Sequence, residues 1–395
     1  MNKYSFKTVN APAEVPEPCD LIIALHDIAE VNMSVVKSIR YALDNAICHA
    51  TSPGSATAIV GAIKHQAKNG FHIGSLQEND RQVKYDKKLK HIFTGEELNA
   101  HELEALLSKA LALKKQRAEK QFTNELGGQH LALIFNKPSL RTRFSFAIAM
   151  RELGGDVIES VESTRKAETP EDQAGVLSGY CHAIMVRTHD DIVFERMSHT
   201  AKVPIINGLS ALHHPCQIFA DILTLREVFG SLKGLTLSYI GDGNNILNSL
   251  LLLAPQLGIN IHYSCPHTRG PDNGVLAKSK AKLHANSGKI QAFSSPKEAV
   301  LNAHAVYTDV WTSMGFENEA HDPLFNGFQI NAELMKYALP KAIFMHCLPM
   351  KRGKEVSETL PDQPCSVIYQ QSENRLHIQK ALLLYLLKSE EIKNV

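Results

Sequence analysis

The sequence predicts an α/β protein built of two doubly wound parallel-sheet domains bridged by helices, with an N-terminal extension in front. Three observations lead there. From residue 91 onward short apolar runs alternate with helical stretches, which is the signature of a parallel sheet with helices on both faces. A turn signal in REVFGSLKG (226–234) separates two such sets of strands. Residues 1–90 follow neither pattern, and the chain of 395 residues is long enough for two or three domains. The expected division is 1–90 for an extension of unassigned role, 91–230 and 231–370 for the two sheet domains, and 371–395 for a C-terminal helix packing back on the first of them.

The elements follow in order. LIIAL (21–25) reads as a strand, residues 31–46 and 56–67 as helices, and the charged run QENDRQVKYDKKLK (77–90) as a linker. Asn99 followed by Glu102 resembles a capping box, and Leu103, Leu106, Leu107, Ala110 and Leu111 then recur at helical spacing. HLALIF (130–135) is a strand, followed by a helix over 139–153. Further strands are AIMVR (183–187), VPIING (203–208), LTLSYIG (235–241), INIHYSC (259–265), AVYTDV (305–310), AIFMHC (342–347) and SVIYQ (366–370). A leucine-rich last helix runs from Glu373 to Lys388.

Composition excludes several classes. The chain is 44% hydrophobic and 21% charged with a net charge of +1, so no global field points to nucleic acid or a membrane surface. Its seven cysteines form no CxxC pair and no zinc spacing, which reads as reduced thiols in a reducing compartment. No apolar run approaches the roughly 18 residues needed to span a bilayer. The first twenty residues carry neither a signal-peptide core nor an Arg-rich presequence. The expectation is a cytoplasmic protein.

In open parallel sheets ligands bind at the carboxyl ends of strands, and polar motifs stand at five of those ends. SLRTR (139–143) opens a helix directly after HLALIF. Free backbone amides at a helix start attract anions, the Ser139 and Thr142 hydroxyls add donors, and Arg141 and Arg143 add planar forks suited to phosphate oxygens. Arg187 ends AIMVR; taken alone it would read as a surface charge. In HHPCQ (213–217), Pro215 suits a first helical turn, and His214 and Gln217, three apart, face the same way. A mere capping role for His214 is the competing view. GDGNN (241–245) follows LTLSYI but lacks the third glycine of a dinucleotide fingerprint, and no acidic residue closes the next strand. Its asparagines fit a polar small molecule instead. In DVWTSMG (309–315) Asp309 can accept from an ammonium group, and Ser313-Met314-Gly315 suits a lid; the bland alternative is a plain turn. Cys347 in HCLP reads as a substrate contact or as a buried inert thiol. Arg375 stands at the start of the last helix. One group of donors suits a phosphate with an adjacent carbonyl and the other suits an amino acid; together they describe transfer from an acyl phosphate to an amine.

These motifs carry a resemblance to the aspartate/ornithine carbamoyltransferase family over about residues 91–390. KPSLRTR is similar to the family's Ser-Thr-Arg-Thr-Arg phosphate motif, and HPCQ to its His-Pro-x-Gln motif. GDGNN, DVWTSMG and MHCLP resemble the motifs of the ornithine branch; the aspartate branch lacks the Ser-Met-Gly loop. The resemblance implies that Ser139, Arg141 and Thr142 hold the phosphate of carbamoyl phosphate, with Leu140, where Thr is common, offering its backbone N–H. Arg187, His214, Gln217 and Arg375 would hold the carbamoyl and phosphate oxygens. Asn245, Asp309, Ser313 and Met314 would hold the α-amino and α-carboxylate groups of ornithine. Cys347 and Leu348 would line the meeting point. The implied reaction is direct attack of the ornithine δ-amine on the carbamoyl carbon, giving citrulline and phosphate in arginine metabolism, with no metal and no organic cofactor. Family members form trimers in which a neighbour's loop enters the site. Here that loop is expected near residues 162–172, where many relatives carry His and this chain offers Arg165 and Lys166. Three alternatives stand beside this reading: a carbamoyltransferase for putrescine or an N-acylated ornithine, a nucleotide-dependent oxidoreductase using GDGNN, and a catalytically silent homologue.

Overall fold

The computed structural model describes residues 89–136, 139–161, 168–312 and 322–388. The elements expected at 21–25, 31–46 and 56–67 lie outside them, as do Arg165, Lys166, Ser313 and Met314. Among the described residues no helix is long and apolar enough to cross a membrane.

The first half opens with helix α1 (Ala100–Ala118). Its capping box is complete: the Asn99 side chain accepts from the Glu102 N–H at 3.0 Å, and the Glu102 carboxylate accepts from the Asn99 N–H at 2.9 Å. Then come β1 (His130–Phe135), α2 (Leu140–Glu152), β2 (Asp156–Val161), α3 (Pro170–Leu177), β3 (Ala183–Arg187), α4 (Ile192–Ser198), β4 (Ile205–Leu209) and α5 (Pro215–Phe229). The four strands form one parallel sheet in the order β2-β1-β3-β4. β1 and β3 are buried along nearly their whole length, as central strands covered on both faces must be.

Helix α5 ends at Phe229, and Gly230 follows with φ +76°, a conformation that favours glycine. The second half holds β5 (Thr236–Ile240), α6 (Asn245–Leu253), β6 (Asn260–Ser264), α7 (Asn273–Ala281), β7 (Ile290–Ala292), α8 (Pro296–Val300), β8 (Ala305–Thr308), α9 (Ala332–Met335) and β9 (Ile343–His346). Its parallel sheet has the order β7-β6-β5-β8-β9. The last helix, α10 (Ile368–Leu387), packs on α1, α2 and α5 of the first half, and its residues Asn374–Tyr385 are buried on every side.

The structure corrects the element list in two places. Residues 366–370 are not a strand. Ser366 makes a single bridge to Phe344, and α10 starts at Ile368, five residues before the expected Glu373. A short β-branched and aromatic run satisfies either period, and here the buried Ile368 serves the helix. The sequence reading also passes over β2 and β7. Both are edge strands, exposed over much of their length, so they lack the apolar run that marks a buried strand.

Each sheet reverses its strand order once. In the first the chain steps outward from β1 to β2, then returns to the far side of β1 with β3; in the second β5, β6 and β7 run one way and β8 and β9 the other. The carboxyl ends of β1 and β3, and of β5 and β8, are the switch points where ligands bind in such sheets. SLRTR, Arg187, GDGNN and Asp309 sit at these four ends.

Candidate functional site

A cleft of about 540 Å³ runs between the two switch points, a volume suited to small molecules. Of the sequence-predicted site residues among those described, all but Arg143 line it: Ser139, Leu140, Arg141, Thr142, Arg187, His214, Gln217, Asn245, Asp309, Cys347, Leu348 and Arg375.

One end of the cleft is cationic. Ser139 occupies the N-cap of α2 in extended backbone, yet its side chain makes no capping bond, and no acidic residue fills the first turn. The first-turn amides of the helix are left to an outside acceptor. Arg187 is buried at the end of β3 and donates from Nη1 to Ser139 Oγ at 3.3 Å. Arg375 enters from α10, donating from Nη1 to Gln217 Oε1 at 2.7 Å and from Nη2 to Thr142 Oγ1 at 3.0 Å. Burial, and then the nearby Arg375 and Arg141, bring the Arg187 guanidinium down to about 10. Burial lowers Arg141 and Arg375 as well. Such crowding of buried like charges is costly until an anion enters. His214 is buried among the same three arginines; burial first and then their charge hold it well below its ordinary value, so its ring is neutral. Arg143 departs from the sequence reading. Its Nη2 pairs with Glu159 Oε1 at 2.7 Å and its guanidinium lies over the Phe135 ring, so it does not line the cleft.

The other end carries an acceptor. Asp309 Oδ1 accepts from the Cys347 thiol at 3.0 Å and Oδ2 from Asn244 Nδ2 at 2.7 Å. Burial and the Asp309 charge push the Cys347 thiol well above its usual range, so it is a protonated donor and not a thiolate. Asn245 Nδ2 donates to the Ser210 carbonyl at 2.8 Å, tying α6 to the loop after β4. Asn244 caps α6 by accepting from the Ile246 N–H. Gly243 is needed for contact: a Cβ there would lie 2.1 Å from the Gly270 carbonyl carbon. The close approach that a glycine permits is thus taken up by the loop after β6, which Arg269 also fastens to Asp242 at 2.7 and 2.8 Å.

Leu348 also lines the cleft, in the left-handed region (φ +61°) and before a cis Leu348–Pro349 bond. Its N–H donates to His346 Nδ1 at 2.9 Å, which leaves the proton on Nε2 to face Glu355 Oε1 at 3.2 Å. Asp309, His346 and Cys347 bring potential ligand atoms within 4.8 Å of one another. Both nitrogens of His346 are nevertheless engaged, one by the Leu348 N–H and one by Glu355, so His346 holds the loop and offers no free nitrogen to an ion.

Sequence reasoning missed Asn136, Thr188, His189, Ser210, Asp242, Asn244, Thr268 and Arg269, all on the cleft wall. Asn244 and Asp242 stood inside a motif already singled out; Thr268 and Arg269 lie in a loop with no pattern of its own.

The family model for the carbamoyl-P binding domain of aspartate/ornithine carbamoyltransferase matches residues 90–227, and that for its Asp/Orn binding domain matches residues 233–386. The ornithine carbamoyltransferase of Thermosynechococcus vestitus is 44% identical over 296 residues, 74% of this chain and 94% of that protein. The solved ornithine carbamoyltransferase from Pyrococcus furiosus superposes with a TM-score of 0.71 at 38% identity, over 77% of this chain and 98% of that one. A solved N-acetyl-L-ornithine transcarbamylase shares 26% identity with a TM-score of 0.68, over 75% of this chain and all of that one.

Proposed function

Because the chain belongs to the aspartate/ornithine carbamoyltransferase family, we propose that it is an ornithine carbamoyltransferase, converting carbamoyl phosphate and L-ornithine to citrulline and phosphate. The observation that carries this reading is the polarity of one cleft: three arginines and a neutral histidine at one end, and Asp309 with a protonated thiol at the other.

In this reading carbamoyl phosphate binds first. Its phosphate takes the α2 amides, Ser139, Thr142 and Arg141, and Arg375 and Gln217 complete the seat. Arg187 and the neutral His214 face the carbamoyl oxygen. Ornithine then places its α-ammonium on Asp309 and its α-carboxylate near Asn245. Its δ-amine, with a reference pKa near that of lysine, about 10.4, must lose a proton to attack. The δ-nitrogen attacks the carbamoyl carbon beside Cys347 and Leu348. Charge develops on the carbamoyl oxygen, where Arg187 and His214 stabilise it; as the C–O bond breaks the nitrogen passes its surplus proton to the departing phosphate, which leaves toward Arg141. Ser313 and Met314 would close the amino-acid end and exclude water. The cycle needs neither metal nor organic cofactor.

The assembly belongs to the same proposal. Leu140 and Phe144, one turn apart on α2, are exposed at the phosphate end, an apolar patch suited to another copy of the chain. A homotrimer in which residues 162–172 of one subunit bring Arg165 or Lys166 to the next would cover it. A cytoplasmic place in arginine metabolism fits the free thiols Cys181, Cys216, Cys265, Cys347 and Cys365.

The test is citrulline formation by the full-length protein with ornithine, putrescine and N-acetylornithine run side by side. Turnover is expected with ornithine, falling by about 10²–10³ in Arg141→Ala, the usual cost of removing a charge-stabilising donor. Preference for N-acetylornithine would move the reading to the acylated substrate, since an acylated α-nitrogen carries no charge for Asp309. No turnover with any amine would favour a silent homologue.

A further inference from the structure

Asp221 lies one helical turn beyond Gln217 on α5 and is fully buried, behind the cleft wall and not on it. Its carboxylate gathers three donors from three elements. Oδ1 accepts from Gln217 Nε2 at 2.8 Å and from Gln371 Nε2 on α10 at 2.7 Å; Oδ2 accepts from the Tyr307 hydroxyl on β8 at 2.9 Å.

The two glutamines are each held from both ends. Gln217 stands between Asp221 and Arg375. A guanidinium only donates and an ionised carboxylate only accepts, so an amide placed between them fits one way round. Its nitrogen must face Asp221 and its oxygen Arg375. Gln371 obeys the same rule: its Oε1 accepts from the His346 N–H at 2.9 Å, immediately before Cys347, while its nitrogen faces Asp221. Tyr307 sits two residues before Asp309 on the same strand exit. One acid thereby sets the donor direction of Arg375 toward Thr142 and the height of the loop that carries Cys347.

We propose that Asp221 is a positioning residue for carbamoyl transfer: acting through Gln217, it orients Arg375 in the phosphate seat. The inference rests on the reading that Gln217 and Arg375 hold carbamoyl phosphate. Without the carboxylate, Gln217 is free to turn its NH₂ toward the guanidinium, two donors then meet, and Arg375 is displaced from Thr142.

The experiment is a double-mutant cycle on the full chain: wild type, Asp221→Leu (the same shape with no acceptor), Gln217→Ala and the pair, with KM for carbamoyl phosphate and for ornithine measured separately. Asp221→Leu is expected to raise KM for carbamoyl phosphate at least tenfold, with the ornithine KM within threefold. In the Gln217→Ala background it should add less than a further twofold. Should Asp221→Leu not fold, Asp221→Asn keeps one acceptor oxygen, weakens the hold on both amides, and is expected to raise the same KM at least threefold with the same non-additivity. Tyr307→Phe, which removes the third donor and leaves the glutamines in place, should leave that KM within twofold even if the protein melts earlier. Multiplying effects in the cycle, an unchanged KM in Asp221→Asn, or a Tyr307→Phe shift equal to that of Asp221→Asn would overturn the proposal. If the wild type makes no citrulline, the functional reading fails instead. The same variants are then compared by calorimetric titration with inorganic phosphate, where unchanged affinity in Asp221→Asn would overturn the positioning role on its own.

Discussion

Asn244 and Asn245 are neighbours in sequence with different partners in space. Asn245 reaches the Ser210 carbonyl across the cleft, while Asn244 caps its own helix and donates to Asp309. The sequence marks both asparagines as suited to a polar small molecule, and the family resemblance gives a substrate role to Asn245 alone; the bond from Asn244 to Asp309 joins two strand ends and is not visible in the motif. The same distinction explains Arg143. Its place in SLRTR marks it as a phosphate ligand, and only the edge strand that brings Glu159 alongside turns it away. Asp309 itself was legible as a strand-end acid, although its two donors were not. Removing its charge should act on one substrate alone. Asp309→Asn is expected to raise KM for ornithine about 10- to 100-fold, the cost of a charged hydrogen bond, and to leave KM for carbamoyl phosphate within about threefold. Steady-state kinetics with each substrate varied in turn would check it, and equal shifts in both would count against the assignment.

At the scale of elements, α1 was legible to its first residue because a capping box and a leucine stripe are local features. Helix α10 was legible in its middle and wrong at its start. Its leucines announce burial, but SVIYQ satisfies a strand as readily as a helix. The choice is made by α1, α2 and α5, which supply apolar cover on several sides. That cover makes α10 costly to disturb. Leu383 is fully buried, and Leu383→Ala is expected to destabilise the protein by about 2–5 kcal/mol in urea unfolding. Asn99→Ala at the α1 cap should cost about 1 kcal/mol. A smaller loss at Leu383 than at Asn99 would mean that α10 is not packed as described.

For the whole molecule, the alternation of strands and helices was enough to foresee two parallel sheets, and the rule of strand carboxyl ends picked out the loops that meet. Strand order was not readable, since nothing in the sequence of β3 says on which side of β1 it lies. The distribution of buried and half-buried histidines has a consequence for the entire fold. Burial holds His91, His213, His214, His262, His304 and His377 below their ordinary 6.5. The unfolded chain therefore binds more protons than the folded one below that pH, and the stability present above 6.5 is lost as pH falls. Asp221 works in the opposite sense. Burial raises it from 3.8 to about 6, so its contribution is greatest in acid and declines as pH rises through about 6. Six groups outweigh one, and the melting temperature is expected to drop between pH 7 and pH 5. A melting temperature that stays level or rises over that interval in scanning calorimetry would show that the fold does not hold these rings neutral.

The central claim is that the two switch points hold two different substrates, the cationic end carbamoyl phosphate and the Asp309 end the amino acid. A two-substrate initial-rate study of citrulline formation in Arg141→Ala and Asp309→Asn tests it most directly. Arg141→Ala is expected to weaken carbamoyl phosphate and Asp309→Asn to weaken ornithine, each with little effect on the other substrate's KM. Both variants raising the same KM, or each raising the wrong one, would contradict it.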